Sequence, residues 1–109
     1  MAEHYRSPTL SLVIPTYGRP RLLERAIQSC LSDDSDAGSI EVIVVPNGGD
    51  VSWQLTAPRF SDDQRVRWHP IATANASAAR NAGLQQVRGQ FVRFLDDDDV
   101  LYPAHARQV

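Results

Sequence analysis

Glu41-Val-Ile-Val-Val45 is the stretch that most limits how this chain can fold. It is β-branched, continuous and closed by Pro46. A run with no polar alternation suits a strand covered on both faces, which is the situation in a parallel sheet. A parallel sheet in turn needs crossover helices on its faces. The rest of the chain supplies them. Leu10-Ser-Leu-Val-Ile14 reads as a strand that ends at Pro15. Pro20 suits the first turn of a helix. From there Leu22, Leu23, Ala26, Ile27, Cys30 and Leu31 recur at helical spacing on one face. Residues 32–39 are a loop by composition.

Beyond Pro46-Asn-Gly-Gly49, a short helix around Trp53 and Leu55 and a turn at 61–63 are expected. Arg65 to His69 alternates like a half-exposed strand. Asn75 to Arg88 reads as a helix ending at Gly89, with Ala76, Ala79, Gly83 and Val87 lining one small-residue side that would lie close to a sheet. Gln90 to Leu95 reads as a strand running straight into Asp96, Asp97, Asp98 and Asp99. The order strand, helix, strand, strand, helix, strand predicts an α/β fold: a mostly parallel sheet with flanking helices. With 109 residues the chain suits one domain that buries roughly two-thirds of its surface. Residues 1–8 read as a polar tail.

Ligands of open parallel sheets bind beyond the carboxyl ends of the strands. The unusual residues fall there: Pro15-Thr16-Tyr17, Pro46-Asn47, Pro70 and the aspartate run. Four adjacent carboxylates repel, each close pair by about 1 kcal/mol even in water. A hard divalent cation relieves that repulsion, and Mg²⁺-type sites combine one or two carboxylates with substrate phosphates. If the segment is extended, Asp96 and Asp98 share one side and Asp97 and Asp99 the other.

All eleven basic residues are Arg, so no Lys can serve as a phosphate-loop residue, a Schiff base or a general base. The formal charge is -2 and the cations are scattered, so nucleic acid is not an expected partner. No apolar run reaches the roughly 20 residues of a membrane span. The single Cys30 and the lack of an apolar leader point to the cytoplasm. Trp53, Trp68 and Cys30 read as packing residues, and Arg19 as a solvated loop charge.

Phe94-Leu-Asp-Asp-Asp-Asp-Val100 locally matches the nucleophile motif of haloacid-dehalogenase-like phosphatases, with Asp96 as nucleophile. Those enzymes also need a later Lys and a later acidic pair, and neither follows Asp99. A second resemblance covers far more of the chain. Ser11-Leu-Val-Ile-Pro-Thr-Tyr-Gly-Arg-Pro20, Ile40 to Val45, Ala78-Ala-Arg-Asn-Ala-Gly-Leu84 and Gly89 to Pro103 occur in the order seen in family 2 glycosyltransferases of the GT-A fold. The last segment resembles that family's D-x-D region, and together the four span residues 10–109.

The resemblance implies a Rossmann-like nucleotide-binding half and transfer of a sugar from a nucleotide-diphosphate donor to a saccharide or glycoconjugate acceptor, metal-dependent and inverting. It implies Mn²⁺ or Mg²⁺ as cofactor, with Asp98 and Asp96 as ligands. Pro15, Thr16, Tyr17, Asn47, Arg80, Asp96 and Asp97 become the expected nucleotide-sugar-binding residues, with Arg19 a weaker candidate beside Arg80. Three departures stand out. Pro46-Asn47 replaces the usual acidic pair, Gly18 replaces the usual Asn, and the length is about half that of a catalytic domain. The acceptor half and general base are then expected to be missing; His105 is a poorly placed substitute. Two rival expectations are a non-catalytic nucleotide-sugar-binding module and a fragment that self-associates through an open sheet edge.

Overall fold

A computed structural model describes residues 8–32 and 39–101. The expected polar tail (but for Pro8), most of the loop at 32–39, the helix expected from Ala104 onward and His105 lie outside them. Four strands, β1 (Leu10–Thr16), β2 (Ile40–Pro46), β3 (Val66–Trp68) and β4 (Phe91–Phe94), form one sheet. Its order is β3-β2-β1-β4 and every pairing is parallel. Two α-helices, α1 (Pro20–Ser32) and α2 (Ala76–Leu84), complete the frame, with short 3₁₀ turns at Ser52–Leu55 and Ala57–Phe60.

Strand alternation divides the core into two layers. Leu10, Leu12, Ile14, Ile40, Val42 and Val44 face α1, where they meet Leu23, Ala26, Ile27 and Cys30. Val13, Ile43 and Val45 face α2 and meet Ala79. Every residue of β2 is buried, as its unbroken apolar run requires. Trp53 and Trp68 stack with ring centroids 5.4 Å apart and pack against the α1 layer, so both are packing residues.

β1 does not stop before Pro15; it runs to Thr16. Odd-numbered residues of β1 direct their backbone groups toward β4: the carbonyls of Thr9 and Val13 accept from Phe91 and Leu95. Pro15 would direct its missing N–H the same way, beyond the last paired residue of β4. The proline therefore costs the sheet no ladder bond, and pairing with β2 continues through Thr16 and Pro46.

α2 is shorter than its small-residue pattern suggests. It begins at Ala76, with the Asn75 side chain accepting from the Ala78 N–H at 3.0 Å, and ends at Leu84. Past it, Gln86 N–H donates to the Gly83 carbonyl in a tighter turn, and Arg88 N–H donates to the buried Glu41 carboxylate at 2.6 Å. Ala79 and Gly83 meet the sheet as expected, whereas Ala76 is exposed and opens onto the cleft described below. A Cβ at Gly83 would run into Val13 Cγ1 and lie 3.2 Å from Val45 Cγ2. Overpacking at so close a contact typically costs about 1–3 kcal/mol. Gly83→Val should fall at the upper end of that range, read as a lower denaturation midpoint with an unchanged m-value.

Candidate functional site

The carboxyl ends of β1, β2 and β4 converge with the start of α2 on an open cleft of about 410 Å³. Pro15, Thr16, Tyr17, Arg19, Asn47, Ala76, Arg80, Asp96, Asp97 and Asp98 line it. Every residue singled out by the sequence as nucleotide-sugar-binding or metal-binding is therefore on one surface. Arg19, the weaker candidate that also read as a solvated loop charge, is there too.

Two loops are tied together at one end of the cleft. Gly18 has φ +67, a left-handed conformation that glycine adopts freely and Asn tolerates better than most residues. Gly18 N–H donates to Asp50 Oδ2 at 2.9 Å, and Ser52 N–H donates to Asp50 Oδ1 at 2.8 Å. Burial alone would raise the Asp50 pKa; these N–H bonds outweigh it and hold the group below its ordinary value. Asp50 was not among the expected site residues, although Asp50-Val-Ser52 ahead of a short helical turn has the composition of an Asx-type cap.

Asn47 donates from Nδ2 to the Thr16 carbonyl at 3.1 Å, beside its own N–H bond to the same oxygen at 3.0 Å. A carboxylate at this position would have no proton to give that carbonyl. Tyr17 is 60% exposed. Its ring lies against Gly48, where an added Cβ would be 3.1 Å from Cε1.

The aspartate run is a turn rather than an extended segment, closed by Asp99 N–H donating to the Asp96 carbonyl at 3.0 Å. That changes which carboxylates share a side. Asp96, Asp98 and Asp99 each offer an oxygen within 4.8 Å of the others, so Asp99 joins the first two instead of pairing with Asp97. Asp97 is buried: Oδ2 accepts from Thr16 Oγ1 at 2.8 Å and Oδ1 from Arg19 Nη1 at 3.4 Å. It fastens the turn to the end of β1. Leu101 N–H donates to Ser29 Oγ at 2.8 Å and fastens the other side of the turn to α1. Arg80 Nη2 lies 3.8 Å from Asp96 Oδ1. Arg19 Nη1 also reaches Asp98 Oδ2 at 3.4 Å.

Three exposed carboxylates offering hard oxygen donors at this spacing fit Mg²⁺ or Mn²⁺ with coordination positions to spare. His69, at the end of β3, is not among the residues lining the cleft. Among the described residues no helix is long and apolar enough to cross a membrane.

Comparison with known proteins identifies the fold and the family. The chain is 36% identical over 97 residues to the GalNAc(5)-diNAcBac-PP-undecaprenol β-1,3-glucosyltransferase of Campylobacter jejuni, covering 86% of this chain and 31% of that protein. It is 32% identical over 98 residues to the uncharacterized glycosyltransferase EpsJ of Bacillus subtilis, covering 89% of this chain and 28% of that one. It therefore spans about a third of the length of these relatives. Residues 1–349 of S. aureus TarS, in complex with UDP-GlcNAc, superpose with a TM-score of 0.79 at 22% identity, over 92% of this chain and 29% of that one. The mannosyltransferase PcManGT of Pyrobaculum calidifontis, in complex with GDP-Man and Mn²⁺, gives 0.74 at 19% identity, over 87% and 29%. Both show the same GT-A fold. The sequence model of glycosyl transferase family 2 matches residues 11–109, and with that span, these relatives and this fold the chain belongs to glycosyl transferase family 2.

Proposed function

We propose that this chain is the donor-binding part of a glycosyltransferase that moves a sugar from a nucleoside-diphosphate donor to a saccharide or glycoconjugate acceptor with inversion. The observation that carries the reading is the convergence of Thr16, Tyr17, Asn47, Arg80 and the aspartate turn on one cleft at the carboxyl end of a parallel sheet. Tyr17, Thr16 and Asn47 form the end suited to the base: an exposed aromatic ring beside an amide already oriented by a backbone carbonyl. Arg80 presents its guanidinium fork toward the aspartate turn, where a diphosphate would lie. Asp98 and Asp96, joined by Asp99, would hold Mn²⁺ or Mg²⁺. A bound divalent cation supplies Lewis-acid stabilisation of the charge on the departing nucleoside diphosphate. Asp97 keeps the turn in place while its neighbours face the ligand. The C. jejuni relative is named for glucosyl transfer to a polyprenol-linked glycan, which makes a lipid-linked glycan one acceptor to try. The cytoplasm is the compartment this reading implies.

Thermal unfolding of the full chain with UDP, GDP and dTDP, each with and without Mn²⁺, tests it. A rise in Tm with at least one nucleotide, larger with Mn²⁺, is the expected result. No shift with any of the three would overturn donor binding.

A second reading has its own support. β4 borders the sheet among the described residues, and its Phe91 and Phe94 are each 47% exposed. Such an edge can pair with another copy of the chain. A sedimentation coefficient that rises with concentration would support self-association.

A further inference from the structure

Arg19 does more than decorate the loop between β1 and α1. Its backbone is fixed: Gly18 turns the chain at φ +67, Pro20 opens the helix, and the Arg19 carbonyl accepts from Leu23 N–H at 2.9 Å. The guanidinium is therefore delivered from a rigid base into the cleft. Nη1 sits 3.4 Å from Asp97 Oδ1 and 3.4 Å from Asp98 Oδ2. These two carboxylates differ in kind. Asp97 is buried and held by Thr16, whereas the Asp98 side chain is 52% exposed and belongs to the three-carboxylate group. Arg19 thus has one permanent partner and one that a cation would claim.

We propose that Arg19 is a resident counter-ion of the cation site, neutralising Asp98 while no cation is bound and remaining anchored on Asp97 when one arrives. It rests on the reading of the cleft as a site for a metal and a diphosphate. Arg19 and Arg80 are the cationic side chains lining the cleft, one at each end of the aspartate turn. Against a bare divalent cation, Arg19 is a like charge and opposes binding. Against a cation accompanied by a diphosphate, the same guanidinium gains an anionic partner and the opposition is offset. Because a bound cation takes Asp98 from Arg19, the side of the guanidinium that faced Asp98 is freed for a diphosphate, and through that shared carboxylate Arg19 couples the two ligands: each binds better when the other is present.

Calorimetric titration of Mn²⁺ into the full chain, first alone and then with saturating UDP or GDP, tests the proposal in wild type, Arg19→Gln and Arg19→Lys. Arg19→Gln should bind Mn²⁺ alone roughly tenfold more tightly, because the like charge it removes stands beside a carboxylate that would hold the cation. Arg19→Lys keeps the charge and should stay near the wild-type value. The gain in Mn²⁺ affinity from added nucleotide should shrink in Arg19→Gln. Unchanged or weaker Mn²⁺ binding by Arg19→Gln would overturn the proposal. Tighter Mn²⁺ binding by Arg19→Gln, with no effect of any nucleotide in wild type, would overturn the donor reading while supporting the role of Arg19 at the cation site. Absence of Mn²⁺ binding in all three proteins would overturn both.

Discussion

Asp98→Asn abolishes the Mn²⁺-dependent part of nucleotide stabilisation while leaving the unliganded chain almost as stable as before. A ligand at one hundred times its Kd stabilises the folded state by about 2.7 kcal/mol. For a domain of this size that corresponds to upwards of roughly ten degrees in Tm, so its loss is easily read. The amide of Asn carries no charge and is a poor ligand for a hard cation, so the substitution leaves Asp96 and Asp99 as the two carboxylates of a three-carboxylate cluster. Transfer activity, where a donor and acceptor pair is found, should fall with it. The control is the adjacent Asp97. Its carboxylate is buried against Thr16 Oγ1 and Arg19. Asp97→Ala should lower the Tm of the unliganded chain, because it leaves a buried hydroxyl without its acceptor at a cost of about 1–3 kcal/mol. Two neighbouring aspartates would then give opposite signatures, one in ligand binding and one in the fold. A Mn²⁺-dependent shift that survives Asp98→Asn unchanged would remove Asp98 from the cation site.

The largest loss of stability is expected at the opposite end of the sheet. Glu41 is a charged residue inside an apolar strand, and its side chain is only 8% exposed. It accepts from Ser11 Oγ at 2.6 Å, from Arg88 N–H at 2.6 Å and from Arg67 Nη2 at 2.9 Å. Ser11 Oγ in turn accepts from Gly89 N–H at 2.9 Å, and Arg67 Nη2 also donates to the Gln86 carbonyl. One carboxylate therefore links β1, β2, β3 and the segment that leads from α2 into β4. Breaking a buried charged network by removing one partner costs about 3–5 kcal/mol. Arg67 sharpens the expectation, since its Nε is buried and has no partner among the described residues. Glu41→Ala should take away about a fifth or more of the roughly 5–15 kcal/mol that a domain possesses, measured by urea unfolding.

The same network sets a pH dependence. Burial pushes the Glu41 pKa up, but the Ser11 and Arg88 hydrogen bonds and the Arg67 guanidinium outweigh it and hold the group below its ordinary value. A carboxyl that is more acidic folded than unfolded contributes stability above its unfolded pKa. That contribution disappears as the pH falls from the ordinary glutamate value through the lower folded one. Wild type should therefore lose stability in acid more steeply than Glu41→Gln, whose amide does not titrate. Equal slopes for the two proteins below pH 4.5 would show that Glu41 is not the group responsible.

Local pattern and tertiary context divide the molecule unevenly. The run from Glu41 to Val45 specifies a strand buried on both faces, because no register of it offers a polar side to water. The spacing of Leu23, Ala26, Ile27 and Cys30 specifies the core face of α1, and Ala79 with Gly83 specifies a helix lying close to the sheet. Those properties depend on side-chain size and period, which a sequence carries in full. The position of the cleft was also legible, since it opens at the carboxyl ends of parallel strands and the odd residues of this chain sit there.

What only the folded structure decided was which partner each charge takes. Asp96 to Asp99 are alike in sequence, yet a turn sends Asp97 inward to Thr16, 81 residues away, and swings Asp99 beside Asp96 and Asp98. Arg19 read as a loop charge or a weaker site candidate, and nothing local could choose between them because its partners lie 78 and 79 residues further along the chain. Glu41 was read only as part of a buried run, and its partners Ser11, Arg67 and Arg88 meet it only in the folded chain. Hydrophobic period is a property of neighbours along the chain. Charge pairing is a property of distance in space, and only the closed sheet with its connecting loops fixes that distance.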